Sequence, residues 1–335
     1  MFEWAGVGFS RGETFRVAAA LQNIAAKEQT TTMRLWGKII GKSIDYYIAE
    51  GEVSEAHVPE DPSTEEGPSG ANQKTYWAMK DDGEYTWVKL PAVSQAQILS
   101  ARKLRRFVSD DLEAKVAGNP PFPGVEKNFL RAQIARISSS TVICPTGFYS
   151  ATEDGDVQVE EESSSKSADD LKDPSNWVHL SKEINAGYGR CTAMPSRENA
   201  DGEDAPYEDQ TMVEPLRSLS EDAADSWKSY TVPSTSNASP NVGQVAVIKS
   251  LVWPGAASVG LGKKFLNIYV GHGVKYSATP YQPTLPQPLQ TGFGLAVPEP
   301  VEGEEVLGLT FTPLEEQPDV IDDPTPLEEE EDDDE

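Results

Sequence analysis

The chain has 335 residues, with 28 Lys and Arg against 55 Asp and Glu, and a formal net charge of −27 at pH 7. This excess of negative charge disfavours nucleic acids and anionic membranes as generic partners, because both repel it, and it favours basic protein surfaces. The charge is concentrated near the end of the chain, since residues 276–335 contain 17 acidic residues and no Lys or Arg.

The cysteines and the first residues indicate the compartment. Cys144 and Cys191 lie far apart with no ligand-like spacing, which argues against a disulfide framework and a structural zinc site. The opening letters MFEWAGVGFSRGE show neither a basic n-region nor an apolar h-region, so we expect no signal peptide. The best apolar stretch, 245–253, is too short to span a bilayer. We therefore expect a soluble intracellular protein.

The first predicted element is an amphipathic helix over residues 11–27. Ser10 and Glu13 form a capping-box pattern, and Val17, Leu21 and Ile24 then recur at helical spacing.

Two β-hairpins are predicted next. Residues 33–40 and 44–50 flank a short GKS segment, and the second hairpin lies in TYWAMKDDGEYTWVKL, where Asp82 and Gly83 supply the turn.

A second helix is predicted after Ser94 and Gln97, which match a capping box. One face of it carries four apolar residues: Ile98, Ala101, Leu104 and Phe107. Its other faces carry four basic residues: Arg102, Lys103, Arg105 and Arg106. In so acidic a chain, we expect this basic cluster to contact carboxylates within the chain or on another subunit.

The stretch NPPFPGVEKNFLRAQIARIS, residues 119–138, predicts a stiff extended corner before a third helix, because its prolines fix φ. Leu130, Ile134 and Ile137 form an apolar stripe on that helix, while Arg131 and Arg136 lie off it. The glycine at 124 and the free amides after it also permit an anion site at the helix start.

Four polar segments, near 52–74, 151–174, 195–210 and from about 281 to the end, have compositions typical of disorder. The first three are interpreted as acidic insertions in a single core domain over residues 1–280. Residues 281–335 form a Pro-rich and then acidic tail. Later strand-like blocks complete an α+β fold with antiparallel hairpins and about three amphipathic helices.

No segment matches a motif for enzyme chemistry. ASVGLGKK, residues 257–264, approaches a phosphate-binding loop but has Ala257 and Lys264 where that motif needs Gly and Ser or Thr. His57, His179 and His272 show no metal-ligand spacing. Carboxylates in the structured blocks are isolated. We expect no catalytic residues, no cofactor and no metal.

Exposed aromatic and basic side chains are the remaining candidates, as anchors at a protein interface. The candidate partner-interface residues are Trp36, Arg102, Lys103, Arg105, Arg106, Phe122, Arg131 and His272. Packing in the core is the alternative for the aromatic ones.

Six blocks in order closely resemble the radial spoke head protein 4/6 family of motile cilia and flagella. They are EWAGVGFSRGETFRV, RLWGKIIGKSIDYYIAEGE, WVKLPAVSQAQILSARKLRRF, NPPFPGVEKNFLRAQIARIS, NWVHL and VWPGAASVGLGKKFLNIYVGHGVKY. His272 stands between two glycines where that family usually has an aromatic residue.

The resemblance implies a non-enzymatic structural subunit of the radial spoke head in the axoneme of the cilium or flagellum. It implies as partners a second copy or paralogue of the chain, radial spoke head protein 9 and repeat-containing head subunits, with transient contact to central-pair projections and none to nucleic acid or membrane. The acidic tail suggests that a soft negative layer faces the central pair. The alternatives from the residues alone are an acidic chaperone-like binder of basic proteins and an enzyme that uses paired carboxylates.

Overall fold

The computed structural model describes residues 2–28, 30, 32–52, 57–119, 121–152, 157–160, 164–195, 197–198, 204–205, 214–233, 244–276, 305–306 and 309–310. The chain divides into two units, Met1–Tyr276 and Ser277–Glu335. In the second unit, the described residues are two short strands that pair antiparallel, Glu305–Val306 and Leu309–Thr310. The remainder of the predicted tail, 281–335, lies outside the described residues.

The helices of the first unit are α1 Phe2–Ala5, α2 Arg11–Glu28, α3 Gln95–Lys103 and α4 Glu126–Thr141, with 3-10 turns at Asp170–Lys172, Pro174–Asn176 and Leu219–Glu221. Its strands are β1 Thr32–Ile39, β2 Tyr46–Glu52, β3 Thr75–Lys80, β4 Trp87–Lys89, β5 Ile143–Pro145, β6 Tyr149–Ala151, β7 Val157–Val159, β8 Trp177–His179, β9 Arg197–Glu198, β10 Asp204–Ala205, β11 Trp227–Pro233, β12 Gln244–Ser250, β13 Ala256–Leu261 and β14 Lys264–Gly271. Within the described ranges, no helix is both long and apolar enough to cross a bilayer.

One eight-stranded sheet organises the first unit, in the order β11-β12-β13-β14-β1-β2-β3-β4. It consists of two four-stranded antiparallel meanders, joined where β1 and β14 pair in parallel. Gly37, at a register irregularity in β1, pairs there with Tyr269. A Cβ atom at 37 would lie 2.0 Å from the Tyr269 carbonyl oxygen, so the junction of the meanders requires glycine.

Helices lie on both faces of the meander β1–β4, and β2 is buried on both sides along six of its seven residues. Tyr47 of β2 packs in one cluster with Val17 and Ala20 of α2. Its neighbour Tyr46 points to the opposite face and packs with Phe129 of α4. Successive side chains of a strand alternate between faces, and this alternation divides the core into two layers.

The predicted α+β class, the first helix, both hairpins and the capping box of α3 are confirmed. The predicted position of Phe107 on the apolar face of the second helix is wrong. The helix ends at Lys103, and Leu104 is its C-cap with extended backbone, so Phe107 lies beyond α3 and is 50% exposed.

Helix α4 is not amphipathic, because 12 of its 16 residues are buried. The sheet covers one side of it, and α3 and irregular segments cover the others. Its buried arginines bind carbonyl groups of these neighbours: Arg131 donates to Ala71 in an irregular segment, and Arg136 donates to Ala101 in α3. Backbone groups far away in the sequence thus bind polar side chains that helical periodicity places on an outer face.

The polar insertions differ from their expected disorder where the structure describes them. In residues 57–74, Glu66 and Asn72 are buried, and Glu65 forms an isolated bridge with Ser94. In residues 164–174, Leu171 is fully buried. Most of residues 195–210 lies outside the described residues.

Candidate partner-interaction surface

The corner before α4 is built from side chains of its own segment. Phe122 is buried and meets Phe129 edge to face, with ring centroids 5.7 Å apart. Gly124 has φ +135°, a conformation that side chains rarely adopt. The amide of Val125 donates to Asn128 Oδ1 at 3.1 Å. These contacts favour a structural corner over an anion site at the helix start.

The basic segment 101–107 binds mainly to its own chain. Arg102 donates to the carbonyl oxygens of Ala186 at 2.6 Å and Ile184 at 3.1 Å. Arg106 forms an ion pair with the buried Glu126, whose other carboxylate oxygen accepts from the Ser109 amide. Two of the four cations therefore hold the segment onto the fold.

An exposed patch remains next to these contacts, and we call Lys103, Arg105, Phe107 and His272 the aromatic-basic patch. Phe107 and His272 lie with ring centroids 4.9 Å apart, and Arg105 and Lys103 are exposed beside them in sequence. The Ile40 amide donates a hydrogen bond to the Gly271 carbonyl oxygen, and the Lys42 amide donates one to the Val108 carbonyl oxygen, each at 2.8 Å. These two bonds connect the segments that carry His272 and Phe107 through residues 40–42. The patch therefore offers two rings tilted by 42° to each other, with exposed basic residues two and four positions before Phe107 in the sequence.

The other three candidate interface residues are buried in the fold. Trp36 is 5% exposed, and its indole N–H donates to Ser138 Oγ at 2.9 Å. Phe122 and Arg131 are 5% and 2% exposed. Their side chains pack within this chain and are not presented to a partner in this structure.

The buried Glu66 joins its own segment to the distant residues 190–192, and no sequence pattern indicates this contact. Glu66 Oε1 accepts from the amides of Cys191 and Thr192, while its Oε2 accepts from the Ala71 amide. Arg190 lies 3.9 Å from the same carboxylate. The segment expected to be a disordered insertion is thus fixed by a charge-assisted network.

A second network surrounds Lys38 of β1, whose ammonium lies 3.1 Å from carboxylate oxygens of Glu13, Asp45 and Asp81. The Tyr47 hydroxyl donates to Glu13 Oε1 at 2.6 Å. Burial lowers the pKa of Lys38, but hydrogen bonds to the three carboxylates outweigh it and raise the pKa above its ordinary value. One cation thereby joins α2, β1 and two turns.

His179 and Asp222 form a third charged cluster. His179 Nε2 lies 2.9 Å from Asp222 Oδ2, and the Trp227 indole N–H and Arg217 bind the same carboxylate at 2.7 Å. Burial raises the pKa of Asp222, but these partners, first of all His179, outweigh it and lower the pKa to about 2. Its carboxylate is held ionised by structural contacts.

The histidines, the glycine-rich segment 257–264 and the cysteines do not come together in one site. His57 contacts Glu65, His179 contacts Asp222 and His272 contacts Phe107, each in a different place. The described residues contain no group of three or more potential metal ligands. Residues 257–264 lie in β13, β14 and their turn, so they do not open a helix as a phosphate-binding loop does. Cys144 and Cys191 are free and buried.

The chain is similar to known proteins over most of its length. The family model described as radial spokehead-like protein matches residues 1–66 and 56–306. Human radial spoke head protein 6 homolog A is 34% identical over 94% of this chain and 52% of its own length. Human radial spoke head protein 4 homolog A is 34% identical over 86% of this chain and 48% of its own length. Flagellar radial spoke protein 4 of Chlamydomonas reinhardtii is 31% identical over 86% of this chain and 68% of its own length.

The chain spans about half the length of the human relatives. The match to the family model nonetheless extends through both meanders and the segment between them. The chain belongs to the radial spokehead-like protein family.

Proposed function

We propose that the chain is a structural, non-enzymatic subunit of the radial spoke head in the axoneme of motile cilia and flagella. The observation that carries this proposal is the family match over residues 1–66 and 56–306, together with relatives named as radial spoke head proteins. The fold supports it, because the buried charged groups bind one another and the backbone: Lys38 binds three carboxylates and Arg131 binds a carbonyl group.

The partners that we propose are other subunits of the spoke head. They are a second copy or paralogue of this chain, radial spoke head protein 9 and repeat-containing head proteins, with transient contact to central-pair projections. In this role the subunit passes mechanical signals from those projections down the spoke towards the dynein arms.

The aromatic-basic patch is the proposed contact with a neighbouring subunit. Phe107 is 50% exposed, and the rings of Phe107 and His272 are 4.9 Å apart, so they offer a rigid apolar anchor. Lys103 and Arg105 are exposed four and two positions before Phe107 in the sequence, and their positive charge suits an acidic surface. Trp36, Phe122 and Arg131 are left out of this surface because they are buried.

The acidic tail is proposed to keep the contact with the central pair brief. Residues 276–335 carry 17 acidic side chains and no basic one. At physiological salt, charges act over a screening length of about 8 Å, so such a layer resists close approach without fixing a partner. A tail of equal length with Gln and Asn in place of the carboxylates between 299 and 335 is the matched control. Unchanged beat pattern in that variant would argue against a role for the charge.

The role as a whole is tested by purifying the tagged chain from demembranated axonemes after high-salt extraction, followed by mass spectrometry. We expect near-stoichiometric recovery of a relative of radial spoke head protein 9 and of repeat-containing head subunits. A Phe107→Ala variant should lose one head subunit, while Leu266→Ala, at a 45% exposed position on β14, should keep all of them. Recovery of histones, with none of the chain on axonemes, would overturn the proposal.

A further inference from the structure

A cavity lined by basic side chains lies beside β4, the end strand of the eight-stranded sheet. Its volume is about 130 Å³, and Lys74, Lys89 and Arg131 contribute to its wall. None of the described residues that line it is an Asp or Glu, although the lining His57 contacts Glu65 behind the wall. The whole chain has 55 acidic and 28 basic residues, so this lining reverses the overall composition. The cavity is therefore lined by basic side chains in an acidic protein.

Arg131 is held in one position in this wall. Its Nη2 donates to the Ala71 carbonyl oxygen at 2.6 Å and to Asn72 Oδ1 at 3.2 Å. Its guanidinium lies over the Tyr76 ring, 4.5 Å from the centroid. Asn72 is itself fixed, because it exchanges hydrogen bonds with the backbone of Val93. The guanidinium is thus preorganised by groups that are neutral.

The charge of Arg131 is not neutralised directly. Within the described part of the chain, no carboxylate oxygen lies within 4.0 Å of this guanidinium, and its buried Nη1 has no hydrogen-bond partner. A buried cation without a carboxylate is costly, and such a group is stabilised when an anion is supplied.

Lys74 adds a second incompletely neutralised charge. Its ammonium lies 3.7 Å from Glu50, but that carboxylate also pairs with Arg34. Burial lowers the pKa of Lys74 and likewise that of Arg131, so the interior opposes both charges. Two cations share Glu50, and Lys89 lies exposed at the rim on β4. Basic side chains therefore line the cavity, and the carboxylates that attract them, Glu50 and Glu66, lie outside its wall.

We propose that this cavity binds a single oxyanion, a carboxylate or a phosphate-sized group, with Arg131 and Lys74 as its counter-charges and Lys89 at its entrance. The volume suffices, since one water needs only about 15 Å³ measured in the same way. The anion comes either from solution or from an acidic side chain that a partner protein inserts beside β4. This inference does not depend on the role proposed above.

The test is calorimetric titration of the purified full-length chain at constant ionic strength. The probes are sodium phosphate, sodium acetate and a capped peptide with one Glu among Gly and Ser residues. Lys74→Gln should weaken binding about tenfold and Lys89→Gln about threefold, because each removes one charged contact. Lys228→Gln is the matched control, since Lys228 is exposed on β11 at the opposite edge of the sheet.

The outcomes separate the two sources. Binding of phosphate or acetate without binding of the peptide assigns the site to a free anion, and tighter binding of the peptide assigns it to a partner's carboxylate. If no probe binds the unmodified chain, or if Lys228→Gln weakens binding as much as Lys74→Gln, the proposal is wrong. Circular dichroism of each variant checks that the fold is retained.

Discussion

The guanidinium of Arg106 lies 3.1 Å from Oε2 of Glu126, whose carboxylate is completely buried at the start of α4. Replacing Arg106 by Met should leave that carboxylate in the interior with the Ser109 amide as its remaining donor. We expect the free energy of unfolding to fall by about 2 kcal/mol, measured by urea denaturation.

The neighbouring Arg105 supplies the control for this change, because it is exposed. Arg105→Met should alter the unfolding free energy by less than about 0.5 kcal/mol. The double variant Arg106→Met with Glu126→Gln should cost less than the sum of the single changes, because the two side chains interact. Equal costs for Arg105→Met and Arg106→Met would show that the ion pair contributes nothing.

Lys38→Met is expected to destabilise the fold by about 2–3 kcal/mol, because it leaves Glu13, Asp45 and Asp81 without their shared cation. Thermal and urea denaturation measure the change. Lys42→Met is the matched control, since Lys42 is exposed near the same turn and should change stability little. A stability of Lys38→Met within error of Lys42→Met would contradict the proposed joining of α2 to the sheet.

Alanine should have opposite effects at two glycines. At Gly37 the new methyl group would lie 2.0 Å from the Tyr269 carbonyl oxygen, so β1 and β14 must separate, and we expect a loss of more than about 3 kcal/mol. At Gly12, exposed in α2, the nearest neighbour is Arg16 Nη1 at 3.8 Å, and we expect a gain of about 0.5 kcal/mol from helix propensity. The measurement is the denaturant midpoint of each variant compared with that of the unmodified chain. A Gly37→Ala variant as stable as the unmodified chain would contradict the close contact between β1 and β14.

Acid should weaken the fold through Asp222. Its pKa is about 2 in the folded chain, below the ordinary value of 3.8, so the folded state binds this proton less readily than the unfolded state. The stabilisation is complete above 3.8 and is lost as pH falls from 3.8 towards 2. After allowance for solvent screening it is on the order of 1 kcal/mol.

Asp222→Asn removes this titration. The difference in unfolding free energy between the unmodified chain and Asp222→Asn should therefore shrink as pH falls from 3.8 towards 2. Measurements of urea midpoints at several pH values follow it. A difference that stays constant between neutral pH and the acid end would exclude Asp222 as the source.

Both thiols should be protected in the folded chain. Burial raises the pKa of Cys144 to about 12, and burial together with the Glu66 carboxylate raises the pKa of Cys191. Because the thiolate is the reactive species, labelling by an aromatic disulfide reagent should be at least about a hundredfold slower in buffer than in urea. Rapid labelling of either thiol in buffer would mean that its segment opens readily.

Local rules account for the parts of the fold that were predicted. Asp82 and Gly83 mark the second hairpin, and Ser94 with Gln97 marks the start of α3, because turn and cap geometry involve neighbouring residues. The parallel pairing of β1 with β14 joins segments from opposite ends of the first unit, and no local pattern encodes it.

The burial of the candidate surface residues likewise depends on contacts between segments far apart in the sequence. Periodicity predicts Arg131 on an outer face of its helix, but the carbonyl group that binds it comes from Ala71, sixty residues earlier. The spacing of apolar residues predicts Phe107 on α3, because neither Gly nor Pro marks the end of that helix. The extended backbone of Leu104 ends it instead. The contact with a distant segment that fixes Arg131 is not visible in a single periodic stretch.

The parallel junction between the two meanders has a consequence for synthesis of the chain. The meander β1–β4 leaves the ribosome long before β14 does, and until then β1 has an unpaired edge of amide and carbonyl groups. An open strand edge is a template for pairing with other chains. During translation the nascent protein therefore keeps this strand edge open until β14 is made, and chaperones that shield strand edges would act on it in that interval.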